Sequence, residues 1–178
     1  LKLLAPDKKH EDFTKPMEKV KNEIVRYQSE RKIIKNTPKY APSGQSTQMI
    51  VGASGESDKD IMYSATYYYK TYNMKRVYYS GYVPVTHDSR LPAIGSQVPM
   101  LRENRLYQTD WLLRFYGFSI GELLNKQHPN LDMDVDPKLS WALRNLHHFP
   151  VDINKADKRL LARIPGIGMQ SVDKIMKA

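Results

Sequence analysis

The stretch QMIVGASGES, Gln48–Ser57, decides how this chain is read. An apolar run preceded by Ser46 and Thr47 ends in Gly52, and small residues turn the chain before a helix-like run that reaches Tyr72. The spacing predicts a strand over 46–52. Ser57 or Ser54 is placed to cap the following helix. Asp58 and Asp60 fall in its first turn, where negative charge suits the positive end of the dipole. The β-branched and aromatic run KRVYYSGYVPV, 75–85, reads as a second strand. Strand, helix, strand in this order is a βαβ unit, which implies parallel pairing and a right-handed crossover. Gly52 would then permit a close backbone approach at the carboxyl end of a parallel strand, where α/β folds place ligands.

Upstream, residues 1–36 are lysine-rich. Pro16 and the three-four spacing of Met17, Val20, Ile24 and Tyr27 predict a helix over about 15–34, with one buried stripe and a solvated remainder. TPKYAPSGQS, 37–46, breaks it. Downstream, 86–99 reads as a loop. A helix over 100–116 follows, with Leu101, Leu106, Leu113, Trp111 and Phe115 expected to supply its apolar surface, and Gly117 ends it. SIGE, 119–122, has capping-box spacing. Asp136 as N-cap with Pro137 at the first helical position starts another helix.

The last stretch, VDINKADKRLLARIPGIGMQSVDKIMKA, reads as two short helices around a tight bend. Asn154 is expected to cap the first, with Asp157 three residues on completing a capping-box variant. That helix should end at Arg163 or Ile164, because Pro165 forbids continuation. Gly166 and Gly168 allow the φ values of a reversal, and the second helix begins near Met169 or Gln170. Leu161, Ile164, Ile167, Val172, Ile175 and Met176 lie at spacings that close the helices on each other. Amides of Gly166, Gly168 and Met169 would be unpaired and able to hold a phosphate oxygen. The candidate DNA-binding residues are Gly166, Ile167, Gly168, Met169, Gln170, Ser171 and Lys174. Such contacts ignore base identity. Alone they imply an affinity of roughly 10⁻⁴ to 10⁻⁶ M.

Composition agrees with an acidic partner. Against 19 acidic residues stand 28 lysines and arginines, a net charge of +9 and an isoelectric point near 9.6, which favour nucleic acid. Twelve tyrosines against four phenylalanines suit half-wet surfaces and base stacking as well as strands. The mean hydropathy is −0.61, and no run approaches the roughly 18 apolar residues of a membrane span. The opening LKLLAPDKKH is too short and interrupted for a signal peptide. The chain opens on Leu1 rather than methionine and stops at Ala178 inside a helical pattern, so it is expected to be a fragment of a longer protein. The absence of cysteine excludes disulfides, a thiol nucleophile, and thiolate ligands for zinc or an iron–sulfur cluster from this chain.

Other chemistry-bearing patterns are weaker. Asp132, Asp134 and Asp136 have calcium-loop spacing, but Pro137, followed by Lys138, stands at the sixth position where the loop needs its glycine, and no glutamate closes it. Helix capping explains Asp136 better. His147 and His148 are adjacent and would point apart on a helix. No GxSxG, P-loop or HExxH pattern occurs. Helix-hairpin-helix glycosylases place a catalytic aspartate some way beyond the hairpin glycines; Asp173 is too close, on the second helix itself.

Two resemblances follow from these residues. NKADKRLLARIPGIG and the helix after it resemble the helix-hairpin-helix family, including the hairpins of bacterial competence DNA receptors. The departure is Val172, where that family usually has alanine. The strand, glycine, short loop and glutamate of QMIVGASGE resemble radical S-adenosylmethionine enzymes. The ordered stretches APDKK, QSTQMIVGA, KRVYYSGYVPV, RENRLYQTDWLLRFYGF, HPNLDMDVDPKL and FPVDINKAD make nearly the whole chain similar to a bacterial family of radical S-adenosylmethionine proteins described as acting in DNA modification or repair.

That resemblance implies a fold: part of a parallel (β/α) barrel over 1–98, a helical connector over 99–150, and a helix-hairpin-helix over 151–178. It implies S-adenosylmethionine and a 4Fe-4S cluster in the parent protein, with the CxxxCxxC cluster ligands outside this chain. Neither is expected bound to these residues alone, which should have no radical activity. Gly52 and Glu56 would lie on the cofactor side, with the backbone of Tyr82, Val83 and Pro84 near the adenine. Locally, Gly52 and Glu56 also read simply as a strand end and a helix start. The implied partners are the DNA phosphate backbone and a repair protein such as a uracil-DNA glycosylase-like protein, with no membrane and a cytoplasmic location. Two alternatives stand beside the enzyme: a non-enzymatic DNA-binding adaptor, and a module whose hairpin contacts another protein.

Overall fold

The computed structural model describes residues 6–177. Among them are seven α-helices and one two-stranded parallel sheet, a mixed α/β chain. The chain divides into two compact units: Leu1–Ser54 with Ser64–Gln97, and Gly55–Tyr63 with Val98–Ala178.

In the first unit, α1 spans Glu11–Ile33. It starts about four residues before the predicted position, because Glu11 and Asp12 already suit a helix start and the Lys9 amide donates to Asp12 Oδ2 at 2.8 Å. Pro16 therefore lies inside the helix, removing one early backbone bond. The predicted stripe is present: Ile24 is buried, and Met17, Val20 and Tyr27 are half-buried. Strand β1, Ser46–Val51, pairs in parallel with β2, Arg76–Gly81, in register from Ser46 opposite Arg76 to Val51 opposite Gly81. Helix α2, Asp58–Tyr72, lies between them in the chain, giving the strand–helix–strand order read from the sequence; its residues from Ser64 onward belong to this unit and those before it to the second. Val51, Ala65, Tyr72, Met74, Val77 and Tyr79 form this unit's core. The Gln45 side chain links two elements to it, donating from Nε2 to the Met17 and Tyr72 carbonyls at 3.0 and 2.6 Å. β2 stops at Gly81, short of the predicted Val85. Its last bond runs from the Tyr82 amide to the Val51 carbonyl at 2.8 Å, and Pro84 carries no N–H to extend the ladder.

Ser57, rather than Ser54, begins α2. Its Oγ accepts from the Asp60 amide at 3.2 Å while its own amide donates to Asp60 Oδ2 at 3.1 Å, a reciprocal capping box.

The second unit is helical: α3 Met100–Phe115, α4 Ile120–Leu123, α5 Pro137–Arg144, a 3₁₀ turn at Leu146–His148, α6 Lys158–Leu161 and α7 Met169–Ile175. The expected caps of α4 and α5 are present. Ser119 and Glu122 form the capping box, and Asp136 accepts from the Lys138 and Leu139 amides with Pro137 at the first position. The predicted apolar face of α3 is corrected. Leu106, Thr109, Asp110 and Leu112 are buried, while Leu101, Trp111 and Phe115 are largely exposed. The Thr109 hydroxyl is satisfied by the Arg105 carbonyl at 2.9 Å and Asp110 by Arg114 at 3.2 Å, so polar residues can occupy the inner face.

An ion pair invisible to periodicity ties this unit together. The fully buried Asp58 accepts from Arg102 Nε at 2.7 Å and from the Leu131 amide at 2.8 Å. Arg102 Nη2 also donates to the Glu56 carbonyl at 3.0 Å. His147 and His148 do not point apart as a regular helix would place them. In the 3₁₀ turn their ring centroids are 4.1 Å apart, and His148 stacks on Trp141 at 5.8 Å. Asp132 heads a local turn, its Oδ1 accepting from the Asp134 and Val135 amides.

Candidate nucleic-acid interface

The bend between α6 and α7 gathers the predicted hairpin residues. The N-cap of α6 is Asp157, not Asn154: Asp157 Oδ1 accepts from the Leu160 amide at 2.7 Å. Asn154 instead lies in a turn headed by Asp152, which accepts from the Asn154, Lys155 and Ala156 amides. Helix α6 is thus a single turn, and its continuation tightens into 3₁₀-type bonds from Arg163 to Leu160 and from Ile164 to Leu161.

Leu161, Ala162 and Val172 form the buried centre of the hairpin, with Tyr116, Ile164, Ile167, Met169 and Ile175 packed against it. Met176, expected to join them, is half exposed. Val172 is fully buried, so its two methyls are accommodated where the helix-hairpin-helix pattern has alanine. Lys158 on α6 pairs with Asp173 on α7 at 2.7 Å, and this bond holds the Asp173 carboxyl below its ordinary value.

Gly166 has φ +82, a left-handed position that a residue with a Cβ adopts at a cost. Gly168 does not need that freedom: its φ is −85 and its ψ 163, ordinary extended backbone. A Cβ there would meet only the Tyr116 hydroxyl, at 3.7 Å. The amides of Gly166, Gly168 and Met169 have no hydrogen-bond acceptor among the described residues. The Ile167 amide differs, donating to the Ile164 carbonyl at 3.2 Å. Gln170, Ser171 and Lys174 are exposed on α7, and Lys174 has no ion-pair partner among the described residues.

Two supports of the bend escape sequence reading. Lys138 on α5 is buried and donates from Nζ to the Ile167 carbonyl at 2.6 Å; it also lies 4.8 Å from the centre of the Tyr116 ring. Burial pushes its ammonium down to about 8, with nearby Asp136 opposing and Arg163 adding to the shift. Arg163, itself buried, donates to Glu122 Oε1 from Nε and Nη2 at 2.9 and 2.6 Å. Its guanidinium also bonds the Arg159 and Gly117 carbonyls and lies 4.4 Å from the centre of the Phe118 ring. Burial works to raise the Glu122 carboxyl, but the Ser119 and Arg163 bonds outweigh it and hold the group below its ordinary value. The only local sequence signal for either support was the unusual apolar setting of a Lys and an Arg.

The residues proposed for a cofactor are distributed as follows. In the first unit, Gly52 has φ +81 and follows the buried end of β1. The Tyr82 amide is engaged by Val51, Val83 is exposed and Pro84 is buried. In the second unit, the Glu56 carbonyl accepts from Arg102. An iron–sulfur cluster requires thiolate ligands. With no cysteine in the sequence, the residues present do not fit one, and no chemical step is assigned through it. Family models, curated proteins and solved structures give no match to this chain. Among the described residues, no helix is long and apolar enough to cross a membrane.

Proposed function

We propose that this chain binds the phosphate backbone of DNA, without base preference, through a helix-hairpin-helix formed by α6, the bend at Gly166–Gly168 and α7. The observation that carries the reading is the set of amides at Gly166, Gly168 and Met169 left without acceptors beside an exposed Gln170, Ser171 and Lys174. Unpaired donors on glycines that lack a Cβ suit a phosphate oxygen, and a net charge of +9 draws the polymer in. On the resemblance of its ordered stretches, the chain serves as the C-terminal portion of a cytoplasmic radical S-adenosylmethionine protein of DNA modification or repair. The barrel portion, the cluster cysteines and a uracil-DNA glycosylase-like partner belong to that proposal.

Gly168→Glu tests the hairpin. The backbone there is extended and a Cβ has room, so the fold should survive while a carboxylate repels phosphate. Duplex binding should weaken and its salt dependence flatten. Unchanged binding by the folded variant would reject the hairpin as the contact.

The second reading is a DNA-binding adaptor without enzymatic activity, in which the strand–helix–strand unit of β1, α2 and β2 serves only as a scaffold. Anaerobic reconstitution of the full-length parent with iron and sulfide separates the two. A brown chromophore with release of 5′-deoxyadenosine supports the enzyme, and their absence supports the adaptor.

A further inference from the structure

Away from the hairpin, the first unit holds a cleft of about 400 Å³ between the second half of α1 and the loop after it. It is lined by Ile24, Tyr27, Gln28, Arg31, Lys39 and Tyr40, among others. That volume falls in the range of about 300–1,000 Å³ typical of small-ligand clefts. The Tyr27 and Tyr40 rings stack, their centroids 5.4 Å apart and their planes 22° from parallel. Tyr40 keeps 38% of its surface open to solvent, so the pair is not sealed by protein.

The surrounding charge is one-sided. Residues 24–42 carry five cations, Arg26, Arg31, Lys32, Lys35 and Lys39, against one acid, Glu30. Arg26 is engaged by Glu23 at 2.7 Å and by Glu30 at 3.7 Å, and its guanidinium lies over the Tyr27 ring at 4.9 Å. Arg31 and Lys39 have no ion-pair partner among the described residues. A cation in the last turn of α1 complements the helix dipole and so accounts for Arg31 by itself. That argument does not reach Lys39, which stands in the loop beside a tyrosine stack.

We propose that this cleft is a nucleotide site, in which a base stacks on the Tyr27–Tyr40 pair and the phosphate is held by Arg31 and Lys39. Aromatic faces accept any base, and unpaired cations beside them supply the anion contact. The shared chemistry is a planar base joined to a phosphate, whether as one unit of a single strand or as a free nucleotide. The inference does not depend on the hairpin.

The test uses the 178-residue chain, with labelled dT20 followed by fluorescence anisotropy and AMP followed by calorimetry. For the probe that binds, Tyr40→Ala should weaken affinity about tenfold, while Tyr40→Phe should retain it. The double variant Arg31→Ala/Lys39→Ala should lower the salt slope for dT20 by about 0.7, the contribution of the one phosphate no longer neutralised. Sensitivity of dT20 binding to Tyr40→Ala, with AMP neither binding nor competing, assigns the site to a strand. Tyr40-sensitive AMP binding assigns it to a free nucleotide. The proposal falls if neither probe binds, or if Tyr40→Ala and the double cation variant both bind as the unaltered chain does. Gly168→Glu measured on duplex DNA in parallel keeps the two sites apart: either can fail while the other stands.

Discussion

Lys138 reaches from α5 to the carbonyl of Ile167 at the tip of the bend, 2.6 Å away. Its ammonium is pushed by burial from the usual 10.5 down to about 8. Between those values the unfolded chain holds a proton that the folded chain has released, so this residue's contribution to stability rises with pH. The stability difference between the unaltered chain and Lys138→Met should therefore shift in favour of the unaltered chain from pH 7.5 to 9.5, read from urea unfolding midpoints. A difference independent of pH would show that Lys138 titrates normally. Glu122 has the opposite window. Its carboxyl lies below the usual 4.5 in the folded chain, so its contribution is complete above that value and lost as pH falls through the folded value. Breaking a buried pair costs about 3–5 kcal/mol. The Glu122 side chain keeps 21% exposure against 4% for Arg163, so Glu122→Gln should cost less, about 2 kcal/mol at pH 7 by denaturant unfolding. That cost should shrink on acidification below pH ~4.

Short elements depend on their caps and on the residues they bury. Asp157 holds α6, a helix of four residues. Asp157→Ala should cost about 1 kcal/mol, whereas Asn154→Ala, in the preceding turn, should stay within about 0.5 kcal/mol. Equal effects would return the cap to Asn154. Leu161, fully buried at the centre of the hairpin, should cost about 2–5 kcal/mol as Leu161→Ala. Local signals were good guides here. Ser119 with Glu122, and Asp136 with Pro137, mark helix starts through bonds that span three residues or fewer. Both strands and their parallel pairing were legible from β-branched runs flanking a helical one. At Asn154 two acceptors compete within a few residues, and Asp152 captures the nearby amides, so the capping pattern pointed three positions early. The φ of Gly166 matched the role predicted for a hairpin glycine, but the extended φ of Gly168 did not.

Over the whole molecule, charge supplies what no single contact does. With a net +9, duplex affinity should fall as salt rises, and Lys174→Ala should reduce the log–log slope by about 1, equally for unrelated sequences. A slope unchanged by Lys174→Ala would remove that residue from the interface. Composition, element order, most caps and the glycine-rich bend were determined by the sequence itself, because each arises from bonds within a turn or from the period of a single element. Tertiary structure alone decided the partners of buried charge. Asp58 meets Arg102 and Leu131 across 44 and 73 residues, and Arg163 meets Glu122 across 41. It also decided which face of α3 is covered, leaving Trp111 and Phe115 outside while Thr109 and Asp110 lie inside. A hydrophobic period ranks faces by apolarity, but a polar residue whose bonds are satisfied can be buried at little cost. Whether those bonds exist depends on residues that only folding brings together.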